Sequence, residues 1–142
     1  MDLDRDLLFL LAVFSGQERW VSRMGHRSRT EMFLASLGIP ARKIQALFRG
    51  LTRLESRPTT PEEEIVHDAV KIDGMGARGI ARELADGRRE GASFAEMAAA
   101  IEEVARAPLR TEAGEALAGG RRRIMLEFAR RLAQEEDEFE RS

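Results

Sequence analysis

Apolar residues recur along this chain at helical spacing, and nowhere at the alternate-residue spacing of a half-buried strand. Leu7, Leu8, Leu11 and Phe14 share one helical face, and Ser15-Gly16 ends that segment. Ser28 and Glu31 have capping-box spacing and open a second helix, which Gly38 closes. Pro40 suits the first turn of a third helix. There Ile44, Leu47, Phe48, Leu51 and Leu54 keep an i, i+3, i+4 rhythm, so one side is buried. Arg57-Pro58-Thr59 breaks it. Thr60-Pro61-Glu62-Glu63 then combines an N-cap, a first-turn proline and a capping-box glutamate, and Glu62 to Glu64 sit where the helix dipole favours negative charge. Ser93 and Glu96 make another capping box ahead of Phe94, Met97, Ile101 and Val104. Pro108 separates these from a last helix that starts near Thr111, with Leu117, Ile124, Phe128 and Leu132 as its apolar face. Gly114, Gly119 and Gly120 should weaken that helix by about 1 kcal/mol each relative to alanine.

The pattern therefore predicts an all-α protein: a single-domain helical bundle of about six helices over residues 1–138, with a disordered tail at 139–142. A length of 142 residues fits one buried core. With 6% aromatic residues and no tyrosine, that core must rest on Leu, Ile, Met, Ala and Phe. Basic and acidic residues number 23 and 25, so bulk charge gives no reason to expect a nucleic-acid partner. Without cysteine there is no disulfide, thiolate zinc site or thiol nucleophile. The apolar run from Leu7 to Phe14 is too short to span a membrane. The acidic start before it lacks the basic flank of a signal peptide. No membrane partner is expected, and the expected location is cytoplasmic.

Gly74-Met75-Gly76-Ala77-Arg78-Gly79 spells G-x-G-x-x-G. A dinucleotide loop of that form needs a buried strand before it and a parallel sheet around it. Val70 to Asp73 instead continues the helix that opens at Thr60, and no other strand is in sight. The favoured reading is a tight bend between helices, where glycine allows close backbone approach.

The same segment carries a wider pattern. Pro58, Thr60, Glu63, then Asp68-Ala69-Val70-Lys71-Ile72-Asp73, then Gly76-Ala77-Arg78-Gly79-Ile80-Ala81-Arg82 resembles P-x-T-x-E…D-A-D-x-L-D-x-x-G-A-x-G-I-A-R of the HD-domain superfamily. These are all-α, metal-dependent phosphohydrolases, and the likeness is to the small bacterial predicted hydrolases among them. Leu109, Thr111, Ala118, Arg121, Met125 and Phe128 resemble its last helix, and Gly38-Ile39-Pro40 with Lys43-Ile44 resembles an earlier turn. The likeness covers most of the chain and is most specific from Pro58 to Arg82.

The resemblance implies a cage of His and Asp ligands around one or two divalent metals, which would lower the pKa of bound water and polarise a phosphoryl oxygen. Most of that cage is missing. Where the His-Asp doublet belongs, after Leu11 to Phe14, stand Ser15 and Gly16. The later Asp is Val70, and a further His falls near Leu54. His67-Asp68 spells the doublet in the wrong helix. The residual metal candidates are His26, His67 and Asp68, each with a plainer reading. His67 reads as a partly exposed helix residue, Asp68 as a structural hydrogen-bond acceptor or cap, and His26 as a turn or loop residue. Asp73 reads as a support for the glycine bend. Arg121-Arg122-Arg123 reads as a solvated face. Trp20, beside Val21 and Met24, either covers the place of the lost doublet or belongs to the core. Arg78 and Arg82 fall where the resemblance implies the site mouth, and with Asp73 and Lys71 they are the candidate ligand-binding residues.

The expectation is thus an HD-domain-like protein with no catalytic residues and no expected cofactor, which binds a small phosphorylated ligand or a protein partner. One alternative is an active phosphohydrolase on nucleotides or other phosphate esters, with Mn, Mg, Ni or Fe in a rebuilt site. Another is a structural or oligomerising helical module, a homodimer being the simplest form.

Overall fold

A computed structural model describes residues 2–21, 23 and 25–141, so Met24 lies outside the described residues. Among them the chain is all-α: eight helices and no strand. They are α1 (Arg5–Phe14), α2 (Glu18–Val21), α3 (His26–Ser36), α4 (Ala41–Arg53), α5 (Pro61–Asp73), α6 (Ala77–Glu90), α7 (Phe94–Ala105) and α8 (Glu112–Glu140). The chain divides into two compact units, Met1–His67 and Asp68–Ser142, and the boundary falls within α5. No helix among the described residues is long and apolar enough to cross a membrane.

In the first unit α1 packs on α4, and α3 packs on both α2 and α4. The core gathers Leu10 and Leu11 with Ile44, Leu47, Phe48, Leu51 and Leu54, the stripe expected of α4. Asp4 caps α1 by accepting from the Leu7 N–H at 3.1 Å. Lys43 reaches Asp4 at 2.9 Å and Asp6 at 2.5 Å. The Lys43 and Leu7 bonds hold the Asp4 carboxyl below its ordinary pKa. α3 does not start at Ser28. Gly25 is its N-cap, and Glu31 is spent on Arg27 at 3.2 Å instead of closing a capping box. At its far end Gly38 takes a left-handed φ of 81°, which lets the Ile39 N–H bond back to the Leu34 carbonyl at 3.1 Å. Pro40 is the N-cap of α4, one residue ahead of the first turn.

In the second unit α7 packs along α8, and α6 packs on both. The Ser93–Glu96 capping box is fully formed, with the side chain of each residue bonded to the backbone of the other. The core uses Met75, Ile80, Ile101 and Met125 with four alanines, Ala98, Ala105, Ala118 and Ala129. The alanines correct the expected face of α8: Leu117 and Ile124 are exposed, and the buried stripe runs one residue later through Ala118, Met125 and Ala129. Small residues allow close helix packing, so the residues buried here are not the largest apolar ones. Phe94 is likewise half exposed. Two helices carry no start signal in the sequence: four-residue α2, and α6, whose N-cap is Gly76.

The glycine motif is the bend between α5 and α6. A Cβ on Gly79 would stand 2.0 Å from the Gly74 carbonyl oxygen, so only glycine fits there. The strand that a dinucleotide loop requires is absent among the described residues.

Candidate functional site

The polar chemistry of the molecule concentrates along α5. Its first turn is capped by the Thr60 hydroxyl, which accepts from the Glu63 N–H at 3.3 Å. The Glu63 carboxylate does not return to Thr60, as a capping box would require. It reaches one residue further back, to the Thr59 N–H at 2.7 Å and the Thr59 hydroxyl at 3.2 Å, while its other oxygen takes the Arg53 guanidinium at 2.5 Å. Burial alone would raise the Glu63 pKa, but the Arg53 and Thr59 bonds win and hold it below its ordinary 4.5. Beside it, Glu62 accepts the Asp4 N–H at 2.8 Å.

His67 is 4% exposed, which corrects the expectation of a partly exposed helix residue. Its Nδ1 lies 2.7 Å from the Leu54 carbonyl oxygen. A carbonyl only accepts, so Nδ1 carries a proton, and the buried Nε2 has no hydrogen-bond partner among the described residues. That is how a metal-binding imidazole is often oriented. One imidazole does not make a site, however, and no three His, Asp or Glu side chains converge on a metal position among the described residues.

Asp68 is 2% exposed, and both of its oxygens accept hydrogen bonds. Its Oδ1 accepts the Arg110 N–H at 2.8 Å, and its Oδ2 accepts the Thr111 N–H at 2.8 Å and the Thr111 hydroxyl at 2.6 Å. The Thr111 hydroxyl in turn caps α8 by accepting from the Gly114 N–H at 2.9 Å. A Cβ on Gly114 would stand 2.4 Å from Asp68 Oδ2. This glycine, which reads in sequence as a weak point of α8, makes the room in which the carboxylate sits. Sequence reasoning missed Gly114 and Arg53 as partners of buried carboxylates. Their partners lie 46 and 10 residues away along the chain, and no local pattern connects them.

The remaining candidates divide into separate places. Ser15 and Gly16 form a helix stop, with the Ser15 hydroxyl bonded back to the Ala12 carbonyl at 2.8 Å and Gly16 at φ 83°. Val70 is half exposed. His26 is the first residue of α3, not a loop residue, and its ring lies 4.4 Å from that of Trp20. Trp20 itself is half exposed, so it is not a core residue. Asp73 ends α5, and its carboxylate faces Arg78 at 3.4 Å and Arg82 at 3.6 Å on α6, across the glycine bend. Lys71 is apart from them, in a groove it shares with Glu83 and Glu103. Burial, then repulsion from Asp86, raises the Glu83 pKa, so that groove disfavours further negative charge. The arginine run is not simply a solvated face. Arg121 donates to the Ile72 carbonyl at 3.0 Å, and Arg122 donates to the Ala107 carbonyl at 2.6 Å and pairs with Glu115.

No protein-family model, curated protein or solved structure matches this chain.

Proposed function

We propose that the chain is a degenerate HD-domain-like protein that does not turn over phosphate esters and that binds a small phosphorylated ligand through Arg78 and Arg82. The observation that supports the non-catalytic part is the hydrogen bonding of Asp68. Both of its oxygens are committed to Arg110 and Thr111. A metal at Asp68 would compete with three hydrogen bonds that hold the start of α8, each donor it stranded costing about 1 kcal/mol or more. His67 presents one nitrogen, with no second ligand converging on it among the described residues. These residues do not fit a metal cage.

The ligand part rests on Asp73, Arg78 and Arg82. Two guanidinium groups four residues apart on α6 are held on one exposed carboxylate at distances longer than a good charged hydrogen bond. A phosphate offers them more charge and more oxygens than Asp73 does. Calorimetric titration with inorganic phosphate, pyrophosphate and a set of nucleotides tests this. Binding should appear for at least one of them and vanish in Arg78→Ala/Arg82→Ala. The reading fails if none binds, or if the unmodified chain releases phosphate from nucleotides with Mn, Mg, Ni or Fe.

A further inference from the structure

In α4 the burial pattern is the usual one, with Ile44, Leu47 and Leu51 inward and Arg42, Gln45 and Arg49 outward. In α3 the pattern is reversed. The buried positions are Thr30 and Leu34, while Met32, Phe33 and Leu37 at its end are 68%, 59% and 62% exposed. Arg29, Phe33 and Leu37 follow one another at spacings of four, so they form a single line along the helix. A helix that buries a threonine and exposes three large apolar side chains needs a cover for its outer side.

Charge narrows what that cover is. Between Glu18 and Arg53 the chain carries eight basic residues against two acidic ones, Glu18 and Glu31. Arg29, Arg42 and Arg49 are exposed and form no ion pair among the described residues. A second copy that presented the same face would set like charges against each other. A nucleic acid would satisfy the arginines but offers no hydrocarbon to Met32 and Leu37. One partner supplies both a dense field of phosphates and an apolar layer beneath it, an anionic phospholipid surface.

We propose that α3 is a lipid-facing helix: Met32, Phe33 and Leu37 enter the headgroup boundary of an anionic bilayer while Arg29 and Arg42 hold its phosphates. This is peripheral binding and needs no spanning segment. The test uses the whole chain with vesicles of phosphatidylcholine alone or of phosphatidylcholine mixed with phosphatidylglycerol. Trp20, the single tryptophan, is half exposed two residues after the start of α2 and serves as the reporter. The chain should sediment with the mixed vesicles only, with a blue shift of Trp20 emission, and should detach at high salt. Phe33→Asp/Leu37→Asp should abolish binding while helical circular dichroism is retained. Arg29→Gln/Arg42→Gln should weaken it about twenty-five-fold, at about a factor of five per arginine. Equal binding to both vesicle types, or none to the mixed ones at low salt, overturns the proposal. So does a stable oligomer that Phe33→Asp dissolves without any vesicle binding, which would assign this face to a second copy.

Discussion

Two buried carboxylates five residues apart on α5, Glu63 and Asp68, do the same work by different means. Each pins a backbone segment that lies outside its own helix turn, Thr59 for Glu63 and Arg110-Thr111 for Asp68. Each sits against a glycine, Gly50 or Gly114, whose missing side chain leaves the room. Glu63 offsets its burial with a guanidinium. Asp68 uses two backbone N–H groups and one hydroxyl. The contrast shows why a His-Asp pair can spell a metal motif without being one. The carboxylate that looks like a ligand already holds the start of α8 through three hydrogen bonds.

The largest effect should come from Asp68→Ala. It strands three donors at the start of α8, so urea unfolding should show a loss of about 3 kcal/mol. Glu63→Ala should cost somewhat less, about 2 kcal/mol, because Arg53 is partly exposed and can recover water when it loses its partner. The Glu63 contribution should also depend on acid. The folded-state pKa of Glu63 lies below its unfolded value, so its contribution is complete above the ordinary carboxylate pKa and is lost as pH falls through the lowered one. Below pH 4.5 the unmodified chain should therefore lose stability faster than Glu63→Gln, as read by urea midpoints across a pH series.

The glycines sharpen the comparison further. Helix propensity alone gives Gly114→Ala a gain of about 1 kcal/mol. The added methyl group would instead meet the Asp68 carboxylate, so a loss of about 1–2 kcal/mol is expected. Gly119→Ala and Gly120→Ala meet nothing nearby and should each stabilise α8 by up to about 1 kcal/mol. A gain in Gly114→Ala comparable to theirs would remove the structural role given to Asp68.

The helices with strong local signals were readable in the sequence. The α4 stripe, the Ser93–Glu96 box and the Thr60 cap all depend on residues within four positions of one another. What was not readable depends on distance along the chain. The rotation of α8 follows from packing on α7, where alanines are buried, so the larger residues misplace the face by one position. The burial of His67 depends on the Leu54 carbonyl, and the use of Asp68 on Thr111, which is 43 residues away. Arg78 and Arg82 were singled out by the resemblance, but Lys71 was not separable from them. Its acidic neighbours Glu83 and Glu103 arrive from α6 and α7.

The most direct test of the structural assignment of Asp68 is urea unfolding of the unmodified chain and of Asp68→Ala, each with excess EDTA and with added manganese. The account predicts that EDTA leaves the unmodified midpoint unchanged and that the variant is less stable by about 3 kcal/mol in both solutions. If EDTA lowers the unmodified chain to the level of the variant, and manganese restores only the former, Asp68 holds a metal and the central claim is wrong.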